Sequence, residues 1–268
     1  MNTQHRDQYQ VLTHNPSTQS ENRIHSDAIA QQYGFKGGLV PGVMVFGYMT
    51  HPLVSRHGLD WLHHGQADVL FMKPAYEAQT LQIQADFDLH RRSAHVEAFH
   101  DTELLAKMQT GFASSDTQPD PRSFWLGCPP ITERPVIDWD QIRLQEPFPA
   151  MAWKAPVQEN LTWCRESNDG LKLYQDTEKA YLHPGLILRQ ANLILRQRYI
   201  IPAWIHTQSQ ITFFSALRVA QDYEVRAFAE DKWERKGHQF LRLHVAILKG
   251  TQVCAEIKHT ALFKLRHS

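Results

Sequence analysis

Apolar and polar residues alternate along several stretches of the chain. From Thr80 to Leu89, apolar side chains occupy every second position and mostly polar side chains fill the positions between them. The apolar members of this stretch are Leu81, Ile83, Ala85, Phe87 and Leu89. The same spacing recurs at Leu104, Ala106 and Met108, and near the C-terminus at Val253, Ala255, Ile257, Ala261, Phe263 and Leu265. A period of two places successive side chains on opposite faces, so these stretches are predicted to be antiparallel strands with one buried face.

A second pattern marks Val43–Val54, which is apolar nearly all round. Such a segment is expected to form a helix that is buried on most sides. The longest apolar run, Leu39–Met49, is interrupted by Pro41, Gly42 and Gly47, and the first ten residues lack an apolar run. We therefore predict neither a membrane span nor a classical export signal.

Three pairs of segments repeat in the same order, about half the chain apart. LVPGVMVFGYM from Leu39 is similar to LHPGLILRQAN from Leu182, and VLFMKPAYEAQTLQIQADF from Val69 is similar to ITFFSALRVAQDYEVRAFA from Ile211. The third pair is HVEAFHDTELLAKM from His95 and HVAILKGTQVCAEI from His244. Three ordered matches indicate an internal duplication.

Each half is predicted to be an apolar helix followed by a run of long strands. A helix wrapped by a curved antiparallel sheet is the hot-dog arrangement, so we expect an α+β chain with a double hot-dog fold. The predicted parts are residues 1–113, a proline-rich connector at 114–147, and residues 148–268. Trp125, Trp139 and Trp153 are expected to pin the connector and the next strand to the body, the alternative being an aromatic binding groove.

Composition narrows the classes of partner. Lysine and arginine total 28 and aspartate and glutamate total 28, so the chain has no positive surplus for nucleic acid or anionic lipid. Its three cysteines are scattered and form no CxxC pair, which favours a reducing, cytoplasmic location over a disulfide framework. The 16 histidines lack metal-ligand spacing, so we predict no metal site.

One segment concentrates residues of the kind that build a site: ENRIHSDAIAQQYGFKGGLVPGV, from Glu21 to Val43. ENRIHSD, followed by AxxYGFxGGLVPG, resembles the hydratase signature of the MaoC-like hot-dog family, which includes (R)-specific enoyl-CoA hydratases and hydroxyacyl-thioester dehydratases. Positions Asn22, His25, Asp27, Gly34-Phe35 and Gly42 match the family pattern. The resemblance covers roughly residues 22–108, with a weaker echo in the second half.

The resemblance implies roles for these residues. His25 would move protons, the Gly42 N–H at a helix N-terminus would hold the thioester oxygen, and Asn22 would orient water or the imidazole. Thr50 and Phe35 would contact substrate. Adjacent to Phe35, Lys36 is open to two interpretations, a contact to a CoA phosphate or a solvated side chain.

The chain also departs from the family pattern. Ser20 stands where the family carries its second catalytic group, an aspartate, and Arg23 replaces a proline. A serine hydroxyl cannot replace a carboxylate as a base. Glu21 is expected to be a solvated loop residue, and Asp27 is expected to cap a short helix at Asp27–Tyr33.

In the second half, SNDGLKLYQDTEKA from Ser167 aligns Asp169 with the catalytic aspartate and Tyr174 with the histidine. We interpret both as remnants, with Asp169 explained by an Asp-Gly turn, and we do not expect a dyad shared between the halves.

Together these features predict a hydratase or dehydratase of acyl groups carried on CoA or acyl-carrier protein, without cofactor or metal. A hot-dog thioesterase and a non-catalytic acyl-thioester binding protein remain alternatives, the second favoured by the missing aspartate. Exposed sheet edges make a homodimer plausible.

Overall fold

The computed structural model describes residues 4–113, 119–120, 128, 130–176 and 179–265. Within these residues, ten strands form one sheet in which all neighbouring strands are antiparallel. They are β1 Gln4–Leu12, β2 Gly65–Phe71, β3 Thr80–Asp88, β4 Ser93–His100, β5 Glu103–Phe112, β6 Met151–Trp153, β7 Ile205–Phe213, β8 Tyr223–Arg235, β9 His238–Lys249 and β10 Gln252–Lys264. The helices are α1 Asp27–Gln32, α2 Gly42–His57, α3 Leu59–His64, α4 Val157–Glu166 and α5 Pro184–Arg198.

The order of strands shows the duplication. One part of the sheet runs β1-β3-β4-β5-β2, and the other, taken from the opposite edge, runs β6-β8-β9-β10-β7. The two parts meet where β2 pairs with β7, with Ala67 opposite Ile211. Helix α2 packs on β1, β3 and β4, helix α5 packs on β8 and β10, and the two helices contact each other. The repeated sequence segments therefore fall on equivalent elements.

The predicted alternation in β3 is confirmed, with one exception at its end. Leu81, Ile83, Ala85 and Phe87 are buried. Leu89 lies beyond the end of the strand, where the pleat no longer directs it inward, and it is 45% exposed.

The alternation predicted for β5 is shifted at its start. Ala106 and Met108 are buried, but Leu105 is buried in place of Leu104. The register between β4 and β5 shifts after Ala98, and such a bulge turns the next side chain to the other face. In β10 the predicted apolar positions within the strand are all buried.

Helix α2 is buried as predicted, with every residue from Val43 to Thr50 inside the protein. Pro52 lies within it and has no N–H to donate to the carbonyl of Tyr48 four residues earlier. That carbonyl instead accepts a hydrogen bond from the hydroxyl of Tyr9 on β1. The proline thus creates an acceptor that ties the helix to the edge of the sheet.

The described part of the connector runs along the second half. Val136 forms a bridge to Ile200, and Pro147 forms a bridge to Phe228. Trp139 packs against the core under the Lys232 ammonium, and Trp153 is buried, as predicted for pinning residues. The third predicted residue, Trp125, lies outside the described residues.

Candidate active site

Asn22 joins the two halves of the protein next to His25. It caps a single 3-10 turn, Arg23–His25, and is buried. Its Oδ1 accepts the Trp204 N–H at 3.0 Å, and its Nδ2 donates to the Trp204 carbonyl at 3.0 Å. These two backbone contacts define which side of the amide carries the oxygen.

The imidazole of His25 is held in one tautomer. Its Nδ1 lies 2.7 Å from the Leu39 carbonyl, which can only accept, so Nδ1 carries the hydrogen. Its Nε2 lone pair then accepts a hydrogen bond from the Asn22 Nδ2 at 3.2 Å. Burial lowers the pKa of His25 below the ordinary imidazole value, and the charge of Arg196 acts in the same direction against the Leu39 carbonyl. At neutral pH the residue is an uncharged base.

The N-terminus of α2 lies beside this histidine. The backbone before the helix is fixed by hydrogen bonds from the Leu39 N–H to Ile24 and from the Val40 N–H to Ala75. The helix begins at Gly42 after Pro41, which provides no side-chain cap. Among the described residues, none accepts the Gly42 N–H, as expected for the first turn of a helix. This N–H and the helix dipole make the position favourable for a negatively charged oxygen.

Two cavities meet at His25. The apolar cavity has a volume of about 250 Å³ and is lined mainly by Ile24, Phe35, Leu39, Val45, Phe71 and Leu262. The polar cavity has a volume of about 440 Å³, and its lining includes Ser20, Glu159, Thr162, Glu166, Arg189 and Arg196. Residues common to both are Asn22, His25, Pro41, Asn192 and Trp204. The imidazole therefore lies between the two cavities and borders both.

The structure brings together four of the six residues predicted for the site. Asn22, His25, Gly42 and Phe35 all line the apolar cavity. Lys36 is exposed and lines neither of the two cavities. The sixth residue is Thr50, also outside both cavities.

Thr50 is unsuited to the substrate contact predicted for it. It is fully buried within α2, and its hydroxyl donates to the carbonyl of Gly47 at 2.8 Å. The hydrogen bond is local to the helix, so this position stabilises α2 instead of the site.

Ser20 lines the polar cavity, but its hydroxyl donates to the Asn22 carbonyl at 3.0 Å. The residue at the family's aspartate position thus supports the backbone of the turn that carries His25.

Glu21 was expected to be a solvated loop residue; it lies in a loop with a side chain that is 33% exposed, but it is also ion-paired. Its carboxylate contacts Arg134 at 2.7 Å and Arg196 at 3.0 Å. The hydrogen bond from Arg134 is the main cause that lowers the pKa of Glu21. The residue thereby links the site turn to the connector and to α5.

Asp27 was expected to cap the short helix, which is also wrong. The helix begins at Asp27 itself, with Ser26 at the capping position. The Asp27 Oδ1 accepts the Gly38 N–H at 2.7 Å, a contact that fixes the glycine-rich loop before α2.

Asp169 is more than a turn residue, which corrects the second-half interpretation. Its carboxylate is 3% exposed, contacts the Nε2 of His183 at 3.2 Å and lies 3.2 Å from the Nδ1 of His51. Burial alone would raise its pKa, but the hydrogen bond from His183, with His51 close by, outweighs burial and holds the pKa well below the ordinary range. Tyr174 is buried against the His183 ring. None of these residues lines either cavity.

His183 also explains why the N-terminus of α5 differs from that of α2. Its Nδ1 accepts the N–H of Gly185, the residue equivalent to Gly42, at 3.1 Å. A Cβ on Gly185 would lie 2.8 Å from the Val43 carbonyl and 2.9 Å from the ring of Trp163. The N-terminus of α5 is thus capped and covered, while Val40 at the position of His183 has no side-chain acceptor for α2.

Many residues of the second half line the two cavities, and none of them was predicted for the site. Trp204 and His206 lie at the start of β7, and Asn192 lies on α5. No spacing in the sequence connects them to His25, because the long-range pairing of β2 with β7 brings them there. The site is therefore built from both halves of the chain. Among the described residues that line the apolar cavity, no carboxylate of one half pairs with a histidine of the other.

In the part of the chain that the structure describes, no group of three or more histidine, cysteine or carboxylate side chains is arranged to hold a metal ion. No described helix has the length and apolar character needed to cross a membrane.

The fold is similar to that of several solved structures. A Chloroflexus aurantiacus protein described as a MaoC domain dehydratase is 10% identical, with a TM-score of 0.68, covering 99% of this chain and 96% of that one. A conserved hypothetical protein from Mycobacterium tuberculosis, described as having a double hot-dog fold, is 11% identical, with a TM-score of 0.62 and coverage of 98% and 96%. A Novosphingobium aromaticivorans protein described as a thioesterase is 12% identical, with a TM-score of 0.51 and coverage of 85% and 89%.

No protein-family model matches the chain, and no curated protein matches its sequence. The structural likeness at such low identity establishes the fold: the chain has the double hot-dog fold predicted from its repeats.

Proposed function

We propose that the protein is a MaoC-like hydratase or dehydratase of acyl thioesters, adding water to a 2-enoyl group carried on CoA or acyl-carrier protein, or removing it. The observation that carries the proposal is the uncharged His25, with its Nε2 lone pair, beside the open N-terminus of α2. The likeness to structures described as dehydratases and the motif around His25 support the same reaction class.

The reaction can proceed with this one histidine. Water would take the place of the Asn22 Nδ2 at the Nε2 of His25. The Nε2 would then take a proton from this water as the water oxygen bonds to C3, and the electrons of the C2–C3 bond would move toward the thioester oxygen. The Gly42 N–H would stabilise that oxygen. The resulting imidazolium would then give its proton to C2 and return to the neutral base. No carboxylate is needed for this proton balance, so Ser20 is compatible with the proposal.

The two cavities suggest how the substrate would lie. The apolar cavity would take the acyl chain, and the polar cavity, which includes Arg189 and Arg196, would take the carrier arm. With the thioester placed at their junction, C2 and C3 would face His25.

The test is the absorbance of the enoyl thioester on mixing protein with crotonyl-CoA, longer 2-enoyl-CoAs and the same acyl groups on acyl-carrier protein. We expect the band to disappear with wild type and with the matched control His90→Ala, whose ring is exposed. His25→Ala should slow the reaction by about 10²- to 10⁴-fold, the usual contribution of a general base.

The same mixtures separate the alternatives. Loss of the band together with release of the free CoA thiol would identify a thioesterase in which His25 activates water against the thioester carbon, because hydrolysis breaks the thioester whereas hydration releases no thiol. Binding of acyl-CoA without any chemical change would identify a binding protein. Either outcome would contradict the hydratase proposal.

A further inference from the structure

The duplication allows one face of α5 to be compared with the equivalent face of α2. On α2 this face is apolar and buried, and it consists of Phe46, Met49 and Leu53. The repeat places polar residues at the equivalent positions of α5, which are Arg189, Asn192 and Arg196. All three of these polar residues line the polar cavity. Since the fold accepts apolar side chains at these positions of α2, the polar face of α5 is not a requirement of the fold.

Asn192 is the member of this face whose side chain has no partner. The two arginines are paired, Arg189 with Glu159 at 2.6 Å and Arg196 with Glu21 at 3.0 Å. The amide of Asn192 makes no hydrogen bond with a described residue, and its Oδ1 is buried. Asparagine is also unfavourable inside a helix, and a buried amide oxygen without a donor lowers stability. A residue that weakens the fold in two ways indicates a functional position.

The amide nitrogen of Asn192 is the end that a ligand can reach. Asn192 is half-buried and lines both cavities, and its Nδ2, unlike its Oδ1, is not one of the buried atoms without a partner. The opposite orientation of the amide would bury N–H groups without an acceptor, which is rarer in proteins than an unfilled acceptor. The side chain therefore presents a donor to the cavities.

The other residues shared by the two cavities offer no free side-chain donor. Pro41 has none, and the indole nitrogen of Trp204 is buried and closed to a ligand. The Nδ1 hydrogen of His25 is donated to a backbone carbonyl. The Nδ2 of Asn22 donates one hydrogen to the Trp204 carbonyl and the other to the Nε2 of His25. Of the described residues that line both cavities, Asn192 therefore has the side-chain N–H that remains available.

The proposed reaction has two oxygen atoms that accept hydrogen bonds at this junction. When water takes the place of the Asn22 Nδ2 at His25, one hydrogen of Asn22 is released and can bond to the water oxygen. The thioester oxygen has two lone pairs, and the Gly42 N–H satisfies one of them. The second lone pair has no donor from Asn22 or His25, which leaves it for Asn192.

We propose that the Asn192 Nδ2 donates a hydrogen bond to the thioester oxygen, as a second donor beside the Gly42 N–H. This inference rests on the proposed function and deepens it, because it assigns a substrate-contacting residue to the second half of the duplicated chain. Asn192 neither gains nor loses a proton in the reaction. Its neutral N–H dipole stabilises the negative charge that develops on the oxygen.

The test measures the carbonyl of a bound thioester and does not need turnover. Butyryl-CoA labelled with ¹³C at the thioester carbon is saturated, so hydration cannot consume it. Isotope-edited infrared spectra of its complex report hydrogen bonds to the oxygen as a shift of the carbonyl band to lower wavenumber. We expect this shift with wild type and with the control Gln10→Leu, whose side chain is exposed. Part of the shift should be lost in Asn192→Leu, which keeps the branched shape, and in Asn192→Met, which copies the equivalent residue of α2.

Two further measurements distinguish a substrate contact from a structural role. With crotonyl-CoA, Asn192→Leu should lower kcat by about 10²- to 10³-fold with little change in KM, the usual effect of removing one oxyanion donor. Thermal unfolding of the same variant should occur at a temperature no lower than that of wild type, because the substitution removes a buried oxygen that has no partner. A structural asparagine would give the opposite pair of results, a lower unfolding temperature and an unchanged carbonyl band.

The outcomes separate this inference from the proposed function. An equal carbonyl band in wild type and in both Asn192 variants would overturn the role of Asn192 whatever the hydration assay shows. Failure of both variants to fold would overturn it as well, since the amide would then be needed by the fold. Hydration by wild type together with either result would leave the proposed function standing. Failure of wild type to bind butyryl-CoA at all would overturn both.

Discussion

The buried pair of His206 and His259, whose rings lie 4.2 Å apart, makes stability depend on pH in a way that can be calculated. His259 is fully buried, and burial lowers its pKa to about 3. In the unfolded chain the same ring titrates near its ordinary value, about 6.5. The unfolded state therefore binds the proton first as the pH falls. Stability is greatest above about pH 6.5 and decreases on acidification until the folded protein is protonated as well.

The magnitude follows from the difference between the two pKa values. Each pH unit below about 6.5 costs about 1.4 kcal/mol per group, so His259 alone should remove about 2.7 kcal/mol between pH 6.5 and pH 4.5. Burial also lowers the pKa of His206, so protonation of this residue in the unfolded chain adds to the loss of stability at low pH. Because domains are typically stable by about 5–15 kcal/mol, the decrease is a substantial fraction of the total.

The assay is urea unfolding at pH 7 and pH 4.5, applied to wild type, His259→Phe and the exposed control His90→Asn. The quantity compared is the change in the free energy of unfolding between the two pH values. A phenylalanine cannot bind a proton, so His259→Phe should lose about 2.7 kcal/mol less than wild type, and the control should follow wild type. If all three lost the same free energy, His259 could not be a buried neutral ring and the hydrogen-bond chain from His259 through Ser209 to His206 would have to be abandoned.

Three further predictions concern other parts of the protein. Replacing Asp169 by alanine leaves the buried Nε2 of His183 without its acceptor and should lower the free energy of unfolding by about 3 kcal/mol, measured by urea unfolding at pH 7. A loss under about 1 kcal/mol would contradict this buried pairing. Gly42→Ala places a methyl group 2.8 Å from the Nδ1 of His206 and should reduce the hydration of crotonyl-CoA by about 100-fold. The control Gly170→Ala, where the added methyl group meets no atom within 4 Å, should leave the rate unchanged, and equal activity of the two variants would show that the N-terminus of α2 does not take part in the reaction. Because burial lowers the pKa of His25, kcat/KM should be constant at and above pH 7 and should decrease on acidification only below about pH 6.5. A decrease that begins above pH 7 on acidification would exclude the neutral imidazole of His25 as the base.

Local pattern predicted much of the fold. Alternation located β3 and the interior of β10 because the side chains of a strand point to opposite faces whatever the strand pairs with. The repeated segments predicted the two-part sheet, since similar sequences form similar elements. The shift in β5 at Leu104 was missed because a bulge depends on the pairing of two strands and leaves no mark in the period of one.

The candidate site was predictable only in its local part. Asn22 and His25 are three residues apart on one turn, so their contact follows from the chain itself. The contacts of Glu21 with Arg134 and Arg196 join residues more than a hundred positions apart. Neither composition nor spacing could show that this carboxylate is held away from the site.

The sequence by itself determined the double hot-dog fold, the position of α2 after Pro41 and the turn that carries His25. Local residues also decide which helix N-terminus is open: His183 caps the first turn of α5, whereas Val40 has no side-chain acceptor for the Gly42 N–H. Only the pairing of β2 with β7 brought His206 to that open end. The physical reason is that hydrogen-bond capping and residue periodicity act within a few residues, whereas sheet pairing joins segments more than a hundred residues apart.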